Sequence, residues 1–188
     1  YALFNLGLAA QHEKKHAEAL DWFARAQAKG FDMALLPSHR GESLFALGQW
    51  APAYQSLSQA LTMPLTQSDQ TKYRTLRAET ALAVQQYDVA LEDFEALLKN
   101  SPNDSRLLQG LGLAQVGKGN TAAALAIFNP LIATSPNAAA YYGRAMAHLK
   151  AGDKTASLQD LDQTIAREPG NPRDREIRAQ IAAGQTPH

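Results

Sequence analysis

At 188 residues and 45% hydrophobic content, the chain has the size and composition of one ordinary domain that folds in water, not of a disordered tail. Eighteen Lys and Arg balance 18 Asp and Glu, so no basic field stands ready to neutralise phosphates, and nucleic acid is excluded as an expected partner. The absence of cysteine rules out disulfide and thiol chemistry, and the most apolar run, Ala122–Phe128, is seven residues where a membrane-spanning helix needs about 20. Periplasm and cytoplasm suit such a chain equally.

The elements predicted along the chain repeat one another. A small residue, a second small residue twelve positions on and a large apolar residue four later recur as Gly7/Ala19/Phe23, Gly41/Ala53/Leu57, Ala78/Ala90/Phe94, Gly112/Ala124/Phe128 and Ala145/Ser157/Leu161. Turn residues lie between the two small ones, as in Leu47-Gly48-Gln49-Trp50, Gln85-Gln86-Tyr87-Asp88, Lys118-Gly119-Asn120 and Ala151-Gly152-Asp153-Lys154. Each copy therefore reads as helix, tight turn, helix. Small residues let the two backbones of a pair approach closely, which predicts Gly41 facing Ala53, and the large residue fills the space beside that contact and reaches the next copy. Measured from Ala19, the spacings are 34, 37, 34 and 33 residues.

The copies divide the chain at about 1–33, 34–67, 68–104, 105–137 and 138–170. Pro102, Pro136 and Pro169 close the last three, where a missing N–H is harmless. The extra length of copy two falls in Thr62–Gln67 and predicts a longer loop before a helix starting near Ser68, with Thr66 and Asp69 spaced as a capping box. Pro130 lies inside the second helix of copy four and predicts a kink there. After Gly170, Asn171 reads as an N-cap and Pro172 as a first-turn proline. The helix they open, over 171–184, is charged, with a thin apolar stripe that covers the last copy, and 185–188 reads as a disordered tail. Tyr1 falls at the start of a copy with no cap and no signal-peptide pattern before it. Further sequence is therefore expected upstream, with the natural C-terminus close to His188.

The 34-residue period, together with Leu44-Phe45-Ala46-Leu47-Gly48-Gln49-Trp50-Ala51-Pro52-Ala53 and Tyr87-Asp88-Val89-Ala90-Leu91-Glu92-Asp93-Phe94, resembles the tetratricopeptide repeat family over residues 1 to about 170. That resemblance implies an all-α, right-handed α-solenoid of antiparallel helix pairs. It also implies a concave groove lined by the first helix of each repeat. Here the lining would comprise Phe4, Leu8, Ser38, Glu42, Phe45, Lys72, Thr75, Glu79, Leu82, Arg106, Gln109, Leu113, Tyr142 and Met146. One subgroup of the family grips a C-terminal carboxylate with Lys, Arg and paired Asn. The corresponding places hold Phe4, Leu8, His39, Lys72 and Leu76, of which only Lys72 agrees, so that clamp is not expected. The mixed surface suits an extended or helical peptide with apolar anchors and a basic residue. Aromatic faces and scattered carboxylates would also serve a polysaccharide, as in repeat scaffolds of bacterial export machines, and an open first repeat would serve self-association. Against all of these stands the plainer reading of Phe4, Phe45 and Tyr142 as core packing.

His12-Glu13-Lys14-Lys15-His16 matches H-E-x-x-H, the zinc-peptidase signature, in which both imidazoles sit one turn apart on a continuous helix. The repeat register instead makes Lys14-Lys15-His16 the turn, so that His12 ends one helix and His16 opens the next. An extended form of that signature would need Gly at 19 and His at 22, where Ala19 and Trp22 stand. Glu92-Asp93-Glu95 reads as a solvated outer face. The expectation is a binding scaffold, not an enzyme, with no cofactor and no metal.

Overall fold

The computed structural model describes residues 1–30 and 35–185. Among the described residues there are eleven α-helices and no strand. They are α1 (Ala2–His12), α2 (His16–Ala28), α3 (Leu36–Ala46), α4 (Trp50–Ala60), α5 (Gln67–Ala83), α6 (Tyr87–Leu98), α7 (Ser105–Lys118), α8 (Thr121–Thr134), α9 (Ala138–Lys150), α10 (Lys154–Arg167) and α11 (Pro172–Ala182). The boundary expected near residue 33 and the tail from residue 186 lie outside the described residues. Two compact units divide the chain, Tyr1–Asp93 and Phe94–His188. In the first, α1 packs on α2, α3 on α4, and α5 on α3 and α4; in the second, α7 packs on α8, α9 on α10, and α11 on α10.

Each helix pair turns on one backbone conformation. Lys14, Gly48, Gln85, Gly119 and Gly152 all have φ between 60° and 86°, and they stand at the same place in every copy. Left-handed backbone is nearly free for glycine but costs about 1 kcal/mol or more for other residues, so three copies use glycine and Lys14 and Gln85 carry strain. Several helix starts are closed by side chains. Thr66 Oγ1 accepts from the Asp69 N–H at 3.1 Å and donates to Asp69 Oδ2 at 2.7 Å. Asp104 accepts from the N–H groups of Arg106 and Leu107, Asn137 from Ala140 and Asp153 from Ala156. Each such cap contributes about 1 kcal/mol. The long loop of copy two spans 61–66, and α8 runs on through Pro130 to Thr134.

The large residue of the repeat pattern is the centre of the core. Phe23, Leu57, Phe94, Phe128 and Leu161 are at most 2% exposed, and each contributes about 1.5–3 kcal/mol through burial. The small residues serve these side chains more than they serve backbone contact. A Cβ on Gly41 would stand 2.8 Å from Leu57 Cγ, so Gly41 makes room for the Leu57 side chain. Phe128 lies between Gly112 of its own pair and Gly143 of the next, and neither glycine has room for a methyl group. This contact joins successive pairs, because a ring flanked by two backbones leaves no gap between α7 and α9.

Ion pairs hold the same architecture from outside the apolar core. Arg77 Nε and Nη2 donate to the two oxygens of Asp93 at 2.7 and 2.8 Å, and Arg74 Nη1 adds a bond of 3.1 Å. Sixteen residues apart in the same way, Arg144 grips Asp160 at 2.8 and 2.7 Å. Glu92 and Glu95 are exposed as predicted for a solvated face, but Asp93 is 0% exposed. The correction follows from pairing: a carboxylate leaves water when planar guanidinium forks replace its hydration.

α11 covers the last pair as predicted. Ile177 and Ile181 are buried against Ala145 and Leu161, and Arg178 pairs with Asp162 along the edge. Asn171 Oδ1 accepts from the Arg173 N–H at 3.1 Å, with Pro172 in the first turn.

Candidate interaction surface

In the first unit, two of the predicted groove residues, Glu42 and Lys72, join Gln11 and His39 in a polar row across α1, α3 and α5. Glu42 is its hub: Lys72 Nζ donates to Oε1 at 2.6 Å and Gln11 Nε2 to Oε2 at 3.4 Å. Gln11 Nε2 also donates to the His39 carbonyl at 3.1 Å, and His39 Nδ1 meets Gln11 Oε1 at 3.0 Å, which places the ring proton on Nδ1. The His39 ring packs on Phe4 and Phe23 at centroid distances of 5.7 and 6.1 Å, and burial lowers its pKa below the ordinary histidine value. Tyr73 is buried beside this row; burial first, then the Glu42 carboxylate, raises its pKa far above the ordinary phenol value. The row is internally satisfied, since Lys72 neutralises Glu42.

The second unit holds an open cleft of about 310 Å³. Its walls are Gln109 and Leu113 of α7, Ala138, Ala139 and Tyr142 of α9, and Thr164 of α10. Glu168, Asn171, Arg173 and Asp174 complete it at the entry to α11. Gln109 Nε2 donates to Asn137 Oδ1 at 3.3 Å, which leaves Gln109 Oε1 on the cleft wall without a donor among the described residues. Burial raises the Tyr142 pKa, Arg173 opposes the rise and Asp174 adds to it, so this phenol stays protonated as a donor at neutral pH. Leu113, the two alanines and the Tyr142 ring supply apolar wall, and the polar groups cluster at the α11 end.

The family model for the tetratricopeptide repeat matches residues 1–32, 75–139 and 110–172. The chain belongs to the tetratricopeptide repeat family. Among solved tetratricopeptide repeat structures it resembles YrrB, a protein described as having an unusual peptide-binding site, at 16% identity and a TM-score of 0.71 over 94% of this chain and 90% of that one. A tetratricopeptide repeat protein from Parabacteroides merdae is 21% identical with a TM-score of 0.72, over 97% of this chain and 70% of that one. MamA from Desulfovibrio magneticus is 17% identical with a TM-score of 0.69, over 91% and 96% of the two chains. These likenesses show the α-solenoid fold. In sequence, the chain is 28% identical over 149 residues to cellulose synthase operon protein C of Pseudomonas fluorescens, covering 75% of this chain and 12% of that protein.

Within the tetratricopeptide frame, the predicted residues separate by burial. Phe4 and Ser38 are buried, at 4% and 0% exposed, and Phe4 stacks at 5.6 Å on Phe23, so both are packing residues in this structure. Leu8 and Met146 are half-buried against the apolar clusters of their own units. Phe45 is half-buried with its ring edge-on to Trp50 at 5.5 Å. Thr75 returns its hydroxyl to the Thr71 carbonyl, Glu79 and Leu82 are half-buried, and Arg106 is exposed. Gln109, Leu113 and Tyr142 are brought together in the cleft. Sequence reasoning missed Thr164, Glu168, Asn171, Arg173 and Asp174 as companions of those three, because it treated the terminal helix only as a cover. The available signal was that α11 occupies the place of a sixth first helix.

His12 and His16 fall on different helices, α1 and α2, separated by a turn whose Lys14 has φ 60°. The turn is Glu13-Lys14-Lys15, one residue earlier than predicted, with His16 the first residue of α2. The single continuous helix that the H-E-x-x-H chemistry requires is not present, and among the described residues no group of three His, Asp or Glu converges as a metal site would demand.

Proposed function

We propose that the chain is a protein-interaction scaffold that takes a peptide segment of its partner along the first helices of its repeats. The observation that carries this reading is the cleft between α7, α9 and α11, where an apolar wall is joined to polar groups that the fold does not use up. Each unit taken by itself offers such contacts, the second through Arg106, Gln109, Tyr142 and Met146 and the first through Glu42, Phe45, Lys72, Thr75 and Glu79. Phe4, Leu8 and Ser38 support them from beneath. An extended peptide suits such a surface because its side chains alternate between apolar and polar walls.

The test is selection of random peptides displayed on phage against the ¹⁵N-labelled chain, followed by amide shift mapping. Peptides should perturb α7 and α9, and Tyr142→Ala should weaken them at least about tenfold, the effect of losing one aromatic anchor. Selected peptides that perturb neither helix would sink the reading.

A second reading is favoured by the likeness to cellulose synthase operon protein C. The chain would then be a scaffold segment of a bacterial exopolysaccharide export assembly, with its partners in the rest of that machine. Saturation-transfer measurements with cellohexaose distinguish direct contact with the polymer from a purely protein-binding role: transfer to the sugar rings supports contact, and its absence rules contact out.

A further inference from the structure

Among the described residues three aspartates are almost completely buried, Asp93, Asp160 and Asp174, at 0%, 5% and 5% exposed. Two of them are gripped by both nitrogens of an arginine fork, Asp93 by Arg77 and Asp160 by Arg144. Asp174 makes no hydrogen bond and no ion pair among the described residues, and its remaining surface lines the cleft. A buried carboxylate without a partner is costly, so its persistence calls for a reason.

The ordinary structural reason does not hold here. Asp174 is the third residue of α11, where an acidic side chain commonly reaches back to the backbone N–H of the N-cap residue. That N–H, on Asn171, already donates to the Glu168 carbonyl at 3.2 Å, and the Asn171 side chain serves the Arg173 N–H. The positive end of the α11 dipole makes a carboxylate tolerable at this place but supplies no donor to it. Arg173 is its neighbour in sequence, and adjacent helical residues point to different sides, so it does not close on Asp174.

We propose that Asp174 is the recognition carboxylate for an arginine side chain of the bound peptide. The inference rests on the peptide-scaffold reading and deepens it. Glu168 stands at the same end of the cleft, so with Asp174 negative, Glu168 negative and Arg173 positive the cleft carries one net negative charge. Two carboxylates and Gln109 Oε1 share the cleft with the Tyr142 hydroxyl, the Asn171 amide and Arg173. A guanidinium offers five N–H groups, a flat face for the Tyr142 ring and a methylene stem for Leu113, Ala138 and Ala139. An ammonium group lacks the fork and the flat face. The ligand would thereby complete at Asp174 the same pair that the chain completes internally at Asp93 and Asp160.

The test uses the full chain and three blocked pentapeptides that differ only at the centre, where they carry arginine, lysine or the neutral isostere citrulline. The arginine peptide should perturb amides of α9 and α11 and bind at least about tenfold tighter than the citrulline twin, as loss of a buried charged hydrogen bond implies. Asp174→Asn should abolish that difference with an unchanged helical circular dichroism spectrum. Should that variant misfold, Glu168→Gln, at an exposed site, should still reduce the preference severalfold. Equal binding of arginine and citrulline peptides at the cleft overturns the inference while leaving the scaffold reading intact. Equal or tighter binding of lysine overturns the guanidinium assignment. No binding of the arginine peptide overturns the inference, and the scaffold reading is then decided by the phage-selected peptides alone.

Discussion

His39 sits between two aromatic rings with its imidazole bonded to Gln11, and its lowered pKa means that it is neutral in the fold at pH values where the unfolded chain is already taking up a proton. Protons therefore favour the unfolded state. The contribution of this site is complete above the unfolded value near 6.5 and is lost as pH falls from there toward the folded value. The melting temperature should therefore drop more between pH 7.5 and 5.5 in the natural chain than in His39→Gln. The variant keeps a donor for Gln11 and cannot titrate, so equal drops in the two proteins would remove His39 from the account. The two buried, paired aspartates belong to the same scale. Asp93 was invisible as a buried residue because its neighbours Glu92 and Glu95 are exposed. Only the third dimension shows that Arg74 and Arg77 stand over it.

Among elements, the helix–turn–helix pair depends on one left-handed residue. Gly48, Gly119 and Gly152 adopt that conformation without side-chain strain, and Gln85 adopts it at φ 61° with one. Gln85→Gly should raise the urea-unfolding free energy by about 0.5–1 kcal/mol, since the relief of about 1–2 kcal/mol is partly offset by the greater freedom of glycine in the unfolded chain. A loss of stability on that exchange would mean that the Gln85 side chain does more than occupy the turn. Register explains why this position was legible: five turns at spacings of 34, 37, 34 and 33 residues repeat one conformation. The same register removes the zinc-peptidase reading, because it places a turn between His12 and His16. The partner of each small residue was less legible. Spacing set Gly41 opposite Ala53 and gave no sign that the Leu57 side chain fills the room beside it, because a side chain that fills a gap takes up the space a glycine leaves.

For the whole molecule, α11 is both the cover of the last helix pair and one wall of the cleft. A chain truncated after Gly170 loses Ile177 and Ile181 from the cluster around Ala145 and Leu161, and with them about 3–6 kcal/mol of burial. Such a chain should show a lower denaturation midpoint and a molar mass that rises with concentration in light scattering, as an uncovered repeat end seeks another apolar face. A monomer with an unchanged midpoint would show that the cover contributes little. What the sequence by itself determined was the helical class, the number of copies, the turn positions and the terminal cover, because these rest on local periodicity and on residues with fixed backbone preferences. Tertiary structure alone decided which polar groups are satisfied. Glu42 and Asp174 are both acidic residues of helices, yet one is neutralised by a lysine 30 positions away and the other makes no hydrogen bond or ion pair among the described residues. That difference depends on where side chains from distant repeats converge, and sequence spacing carries no term for it.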